Sequence, residues 1–283
     1  MKISMLYDLV RWEEKAILKR AEEKGMDIKM IDTKGMTTII GEKIPEEFGD
    51  VSLQRSIGHF RGLYSTATLE FQGHRVMNSY KSSDLTGNKL LTSLLLSRNG
   101  IPTPMTGVAF DGDSALKLFE TGMKGKAVIK PITGSWGRMI GLLKDRDAAA
   151  AVIEDRQYMH PLYSIFYLQE FVNKPGRDLR VFVVGDRAIA GIYRYQADGD
   201  WRTNTAIGGR AENLPISGEV GEMAVKAANC IGPGIYGVDL METEKGYTVH
   251  EINGTMEFKN TVRVSGVDVP GEMLDYVISE AKR

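Results

Sequence analysis

Cysteine is almost missing from this chain of 283 residues, with Cys230 standing alone. That excludes an intramolecular disulfide and a zinc site built on cysteines, and it points to an intracellular compartment. The helical run MAVKAANC predicts that Cys230 itself is a small core residue. Neither sign of charge dominates. A formal net charge of −1 leaves no global basic footprint for nucleic acid, although a local basic patch stays open. No apolar run is long enough to cross a bilayer. The opening MKISMLYDLV has no small-residue cleavage site behind a long apolar segment, which argues against secretion. The expected setting is the cytoplasm, with no membrane and no nucleic-acid partner. The four histidines, His59, His74, His160 and His250, lack metal-ligand spacing and read as structural or surface groups. Internal repeats and low-complexity tracts are also missing.

What is present suits a globular protein of several lobes. Apolar residues make up 42% and charged residues 26%, and a single core usually stops growing near this length. Lys2 to Tyr7 and Asp27 to Ile31 read as strands around a helix from Trp12 to Glu23. Apolar stretches at Val51 to Leu53 and Arg75 to Met77, with a helix over Gly58 to Phe71, complete an open α/β unit. A helical run from Thr86 to Arg98 follows, which Gly100 can stop before Pro102 and Pro104. Strands at Met105 to Ala109, Ala127 to Lys130 and Met139 to Leu143, with helices at Ser114 to Glu120 and Ala148 to Gln157, form a central unit. From Ile165 onward, β-rich segments with helices at Gly218 to Asn229 and Pro270 to Lys282 give α+β character.

Three segments could carry chemistry. In VIKPITGSWGRMIGLL, Gly134 and Gly137 let backbone N–H groups approach an anion while Lys130 and Arg138 supply charge. It lacks the Gly-Lys-Ser/Thr ending of a Walker loop, and taken alone it reads more simply as a hairpin loop. In GIYGVDLMETEKGYTVHEIN, a three-residue connection over Glu244, Lys245 and Gly246 would set Asp239 opposite Glu251, with Asn253 further along that face and His250 on the other. Facing carboxylates suit a hard cation such as Mg²⁺, but a solvent-facing hairpin with screened charges is equally open. In FYLQEFVNKPGRDLRVFVVGDRAIAGIYRY, Asp178 and Arg180 share a strand face. An isolated pair of this kind is usually structural; Arg194, Arg202 and Asn204 enlarge the cluster toward what a highly charged substrate requires.

Taken in order, Lys89 in GNKL, Lys130 in VIKP, the TGSWGR loop, QEFV, RDLR, Asp239 and the triplet from Glu251 to Asn253 resemble the RimK-like branch of the ATP-grasp superfamily, over the whole chain. The resemblance implies a three-domain ATP-grasp fold of α/β and α+β class. It comprises an N-terminal open α/β domain (1–83), a central domain (84–164) and a C-terminal domain (165–283), with ATP held between the last two. The segment from Glu251 to Val262 and the GSWGR loop are similar to the ligases that join α-aminoadipate to a small acidic carrier protein, LysW, in lysine biosynthesis. Asn260 followed by the small Thr261 is where glutamate-selective relatives differ.

Carried over by position, the resemblance implies that Lys89 and Lys130 contact the ATP phosphates and that Gly134, Ser135, Trp136, Gly137 and Arg138 close over them. Glu170, Phe171 and Val172 would hold adenine, Asp178 the ribose side, and Arg202 and Asn204 further nucleotide contacts. Arg194, Glu257, Asn260 and Thr261 would meet the amino-acid substrate, and Asp239, Glu251 and Asn253 would ligate Mg²⁺, with two ions implied. ATP would convert the carrier's terminal glutamate side chain to an acyl phosphate, which the α-aminoadipate amine attacks. Lys130 and Arg180 would stabilise the charge that develops. A homo-oligomer, a tetramer, is also implied. Arg55, Arg61, Arg75 and Lys81 are expected to form a positive surface that steers the acidic carrier. The alternatives are a glutamate–carrier ligase of arginine biosynthesis, a bifunctional version, a RimK-like ligase acting on a protein tail, and a nucleotide-binding module without chemistry. The intact metal set argues against the last.

Overall fold

The computed structural model describes residues 1–134, 138–203, 210–216 and 218–282. In the first unit, β1 (Ile3–Tyr7) is buried at four of its five positions and β3 (Val51–Gln54) at all of its positions, the pattern of strands covered on both faces. β1 pairs in parallel with both β2 (Ile28–Asp32) and β3, and β4 (Val76–Met77) extends the sheet beyond β3. α1 (Trp12–Glu23) turns Ile17 and Ala21 onto one face. Leu69 of α2 (His59–Glu70) packs with Leu6, Ile31 and Phe48 on the other.

The run from Thr86 to Arg98, expected as one helix, is split. α3 (Tyr80–Gly87) crosses the expected boundary at 83/84, and α4 (Lys89–Arg98) starts after Asn88, whose backbone is extended. Asn88 Oδ1 accepts from the N–H groups of Leu90 and Leu91 at 3.0 and 3.2 Å, so the break is an N-cap. Lys89 therefore opens α4, and its N–H donates to the Ile132 carbonyl at 2.7 Å.

β5 (Thr106–Ala109), β6 (Ala127–Lys130), β7 (Gly141–Leu143) and β8 (Phe166–Glu170) form an antiparallel sheet in the order β5-β8-β6-β7. β8, which the sequence reading assigned to the third unit, is thus an inner strand of the second sheet. α5 (Gly112–Lys117) and α6 (Arg146–Gln157) cover this sheet through Ala115, Ala149 and Ile153. The expected helix to Glu120 changes winding after Lys117 and continues as a π-turn over Leu118–Gly122.

The third sheet contains β9 (Arg177–Val184), β10 (Arg187–Tyr195), β11 (Ala211–Asn213), β12 (Ile235–Thr243) and β13 (Gly246–Asn253), in the order β11-β10-β9-β12-β13. α7 (Gly218–Ile231) packs Val220, Ala224 and Ala227 against Val181, Val183 and Val238. Cys230 lies outside that buried face and is half-buried, contrary to the core position expected for it. α8 (Lys259–Ser265) was not anticipated as a helix; it ends at Gly266, whose φ of 71° supplies the left-handed cap. α9 (Val269–Ala281) lies between two sheets. Its Leu274 and Val277 share one core with Phe182 and Ile235 of the third sheet and with Met5 and Leu53 of the first. No described helix is long and apolar enough to cross a membrane.

Because Leu274 joins both sheets at 0% exposure, Leu274→Ala should cost about 2–5 kcal/mol in chemical denaturation. A loss below about 1 kcal/mol would show that α9 does not join the two cores.

Candidate active site

The hairpin between β12 and β13 is built differently from its expected form and still reaches the expected pairing. Thr243 pairs with Gly246, so only Glu244 and Lys245 form the link. That register alone would set Asp239 against His250. One extra residue intervenes: Leu240 pairs with Val249 and Asp239 with Glu251, which leaves His250 as a β-bulge. Val249 and Ile252 enter the core, whereas His250, Glu251 and Asn253 all line the same cavity. His250, expected on the opposite face, therefore belongs to the site.

Neighbouring strands complete a buried charge network. Register places Arg180 beside Asp239 and Arg194 beside Asp178. Arg180 donates from Nε and Nη2 to the two oxygens of Asp239 at 2.6 and 2.7 Å, and Arg194 Nη2 reaches the same carboxylate at 3.0 Å. Arg194 Nε donates to Asp178 at 2.7 Å, and the Thr203 hydroxyl donates to the other oxygen of Asp178. Asp178 and Asp239 are only 3% and 2% exposed. Burial alone would raise both carboxyls, but Arg194 and Lys174 around Asp178, and Arg180 and Arg194 around Asp239, hold them below the usual carboxylate range.

Two lysines face this network. Lys89 Nζ donates to the Gly134 carbonyl at 2.5 Å and lies 3.4 Å from Glu251. Lys130 Nζ donates to Gln169 Oε1 at 2.6 Å. The Gln169 amide is itself oriented by Tyr167 and Thr106, at 2.9 and 3.1 Å. Burial pushes Lys130 down to about 8. Burial likewise pushes His250 down to about 4, so its imidazole is neutral at pH 7. Lys174, also depressed by burial, donates to Thr203 at 3.0 Å and adds a cation that sequence reasoning missed. Nothing in the spacing of NKPGRD distinguishes it from a surface lysine.

Lys89, Lys130, Gly134, Arg138, Asp178, Arg202, Asp239, Glu251 and Asn253 thus line one cavity. A second lies between the first unit, at Arg11, Ser56 and His59, and the segment from Asn253 to Glu257. Arg180, Arg194, Glu251 and Asn253 border both. Other expected residues are placed elsewhere. Ser135, Trp136, Gly137 and Asn204 lie outside the described residues. Glu170, Phe171 and Val172 do not line either cavity: Glu170 accepts from the Met105 N–H at 2.7 Å, and Phe171 meets Trp201 edge-on. Glu257 borders the second cavity, 3.5 Å from Arg11. Asn260 and Thr261 fall in the first turn of α8, off both cavity walls, and Thr261 is 0% exposed. The expected steering surface loses Arg55, which is 1% exposed and bound to Glu14 at 3.1 Å. Arg61 is paired with Asp8, and Arg75 donates to the Glu280 carbonyl.

The first unit also fixes the wall of the second cavity. Asn78 donates to the Gly254 carbonyl at 2.9 Å and Arg55 to the Met256 carbonyl at 3.1 Å. Glu13 Oε1 accepts from the N–H groups of Phe258 and Lys259, both at 3.2 Å. Among the described residues no group of three or more His, Cys, Asp or Glu side chains could hold a metal. Asp239, Glu251 and Asn253 nevertheless fit Mg²⁺, which needs few protein oxygens. Both carboxyls are held ionised, and Asn253, whose Nδ2 lies 3.4 Å from Asp239, would turn its amide oxygen inward.

A cation-lined cleft between the second and third antiparallel sheets places the chain in the ATP-grasp class of ligases. A family model described as the RimK-like ATP-grasp domain matches residues 86–277, and one described as the LysX preATP-grasp domain matches residues 3–85. The chain belongs to the RimK-like ATP-grasp family. It is 41% identical to the α-aminoadipate–LysW ligase LysX of Sulfolobus acidocaldarius, over 94% of this chain and 97% of that one. It is 34% identical to the glutamate–LysW ligase ArgX of the same organism, over 98% of each. Among solved structures, the ATP-grasp ligase PsnB, complexed with a precursor variant, Mg and ADP, superposes with a TM-score of 0.75 at 21% identity, over 99% of this chain and 98% of that one.

Since kcat/KM reports the free enzyme, its value for ATP should fall as pH rises through about 8, where Lys130 loses its proton. Lys130→Met should be far slower and lack that limb. A wild-type profile flat across this range would separate Lys130 from phosphate binding.

Proposed function

We propose that this protein is an ATP-dependent carboxylate–amine ligase of lysine biosynthesis. It activates the side-chain carboxylate of the C-terminal glutamate of a small acidic carrier protein of the LysW type and joins it to the α-amino group of α-aminoadipate. The observation that carries this reading is the meeting of two cavities at Arg180, Arg194 and Glu251, in a chain similar over nearly its full length to an α-aminoadipate–LysW ligase. One cavity takes ATP. Lys89, Lys130 and the loop from Gly134 to Arg138 would hold its phosphates, Asp178, Arg202 and Asn204 the ribose and phosphate side, and the adenine would extend beyond the cavity to the backbone from Glu170 to Val172. The second takes the amino acid, with Arg194 and Glu257 on its wall.

A carboxylate resists attack because it has no acceptable leaving group. Aligning it with the γ-phosphoryl group converts it to an acyl phosphate, and the amine then displaces phosphate. Lys130 neutralises charge on the transferring group. Arg180 uses Nε and Nη2 on Asp239, leaving Nη1 for the acyl phosphate and for the oxyanion of the tetrahedral intermediate. Mg²⁺, with two ions proposed, would be held at Asp239, Glu251 and Asn253 and would neutralise and align the phosphates. No enzyme nucleophile is required. The proposed assembly is a cytoplasmic homotetramer, which light scattering tests directly.

A second reading, a glutamate–carrier ligase, is favoured by the ArgX similarity. One methylene separates the two amino acids, worth about 1–3 kcal/mol, so α-aminoadipate should be preferred with residual glutamate turnover. Because Thr261 is buried off the cavity, the pair Asn260 and Thr261 would act by shaping α8 rather than by touching substrate. ADP release should require the intact carrier and fall to background with carrier lacking its terminal glutamate. Equal specificity constants for the two amino acids would reassign the enzyme, and full activity on free glutamate would eliminate the carrier.

Removing Asp239 would strand the buried Arg194 and the half-buried Arg180, so Glu251→Gln is the cleaner metal test. Its turnover should drop at least about 100-fold with the melting temperature kept. Near-normal rates at limiting Mg²⁺ would remove Glu251 from the metal set.

A further inference from the structure

Arginine is an uncommon residue at the start of a helix, yet Arg11 is the N-cap of α1. That position favours Ser, Thr, Asp or Asn, whose side chains accept from the first free N–H groups. A guanidinium cannot accept, and its charge opposes the positive end of the helix. One carboxylate keeps it there. Glu14, 0% exposed, accepts from the backbone N–H of Arg11 at 2.9 Å, from Nε at 3.1 Å and from Nη2 at 2.9 Å. The same carboxylate accepts from Arg55 Nε at 3.1 Å, so two guanidinium groups share it. The neighbouring Glu13 is turned to the N–H groups of Phe258 and Lys259. Arg11 Nη1 is left with Glu257, an ion pair at 3.5 Å whose carboxylate side chain is 46% exposed. The helix thus carries, at the end that disfavours it, a cation whose plane is fixed and which lines the second cavity.

Of the charged side chains on that wall, Arg180, Arg194 and Glu251 also line the first cavity, and Arg11 and Glu257 belong to the second alone. His59, beside them, is pushed below its ordinary value by burial and adds no cation at pH 7. The chemistry of the substrate sorts these groups. The attacking amine must lie at the border, where the acyl phosphate forms. The α-carboxylate is one carbon away from it and stays near Arg194. The other carboxylate is three methylenes beyond the α-carbon, which carries it into the second cavity. An ionised carboxylate taken out of water needs a cation, and a guanidinium matches it in shape as well as in charge. We propose that Arg11 is a specificity-determining residue that binds the distal carboxylate of the amino-acid substrate, with Glu257 yielding its place and turning to solvent. This assignment rests on the reading of the second cavity as the amino-acid site. Glu14, shared with Arg55, then acts as a positioning residue that holds the Arg11 fork ready.

The test measures ADP release at saturating ATP and intact carrier, with α-aminoadipate or 2-aminohexanoate as the amine, the latter carrying a methyl group in place of the distal carboxylate. The wild-type chain is compared with Arg11→Gln and Arg11→Lys. Arg11→Gln should lose roughly 10- to 100-fold in kcat/KM for α-aminoadipate, the range for hydrogen bonds to a charged group. With 2-aminohexanoate the same substitution should change little, so the preference for the dicarboxylate collapses. Where that amine turns over too slowly, its inhibition constant against α-aminoadipate is read instead and should be unchanged in Arg11→Gln. Arg11→Lys, which keeps the charge and loses the fork, should fall between the two. The preference is a ratio measured on one preparation, so partial misfolding of a variant does not alter it. A wild-type ratio retained in Arg11→Gln would overturn the assignment, and a raised KM for the carrier in its place would give Arg11 to the carrier's terminal carboxylate. If the wild-type chain showed no carrier-dependent turnover of α-aminoadipate, the ligase reading would fall and this assignment with it; a retained ratio in an active wild-type background removes Arg11 alone.

Discussion

The carboxylate of Asp239 holds two arginines where two cavities meet, and the arrangement of the site depends on that contact. A buried carboxylate without partners would take up a proton, and a buried guanidinium without partners would be strongly destabilising. Together they form a chain of alternating charge from Arg180 through Asp239 and Arg194 to Asp178. The strands impose the alternation, because β9 sets Arg180 against Asp239 on one side and Asp178 against Arg194 on the other. Such a network fixes rotamers that are otherwise among the most mobile in proteins. Arg180 and Arg194 therefore reach the border of both cavities with their orientation already set, which is what charge stabilisation in a transfer reaction requires.

Much of the fold was legible because local pattern and global role agree in it. The buried strands of the first sheet and the periodic helices α1 and α7 follow from spacing. The illegible parts share a physical cause, competition between local pattern and a distant partner. Asn88 reads as an ordinary polar residue inside a helical run until its side chain is seen to cap α4. β8 reads as the start of the third unit because β9 follows it, yet its hydrogen bonds go to β5 and β6. Arg55 reads as a surface cation, but Glu14 and the Met256 carbonyl draw it into the interior.

The same competition shaped the reading of the site. Cation and carboxylate positions could be matched motif by motif, since charge in a β-rich segment needs a reason. His250 could not, because a bulge inserts a residue without leaving a mark in composition, and a single slip in register moves a side chain between faces. The expected three-residue link and the observed two-residue link plus bulge give the same partner for Asp239 and opposite positions for His250.

The core shared by α9 with the first and third sheets bears on how the chain is made. Ile3, Met5, Val51 and Leu53 leave the ribosome well before Val269, Leu274 and Val277, which cover them. The first sheet can pair its strands and dock α1 and α2 during synthesis, but part of the face that α1 shares with α9 stays open until some two hundred further residues have been added. For that interval the nascent protein carries a sticky surface beside an otherwise finished domain.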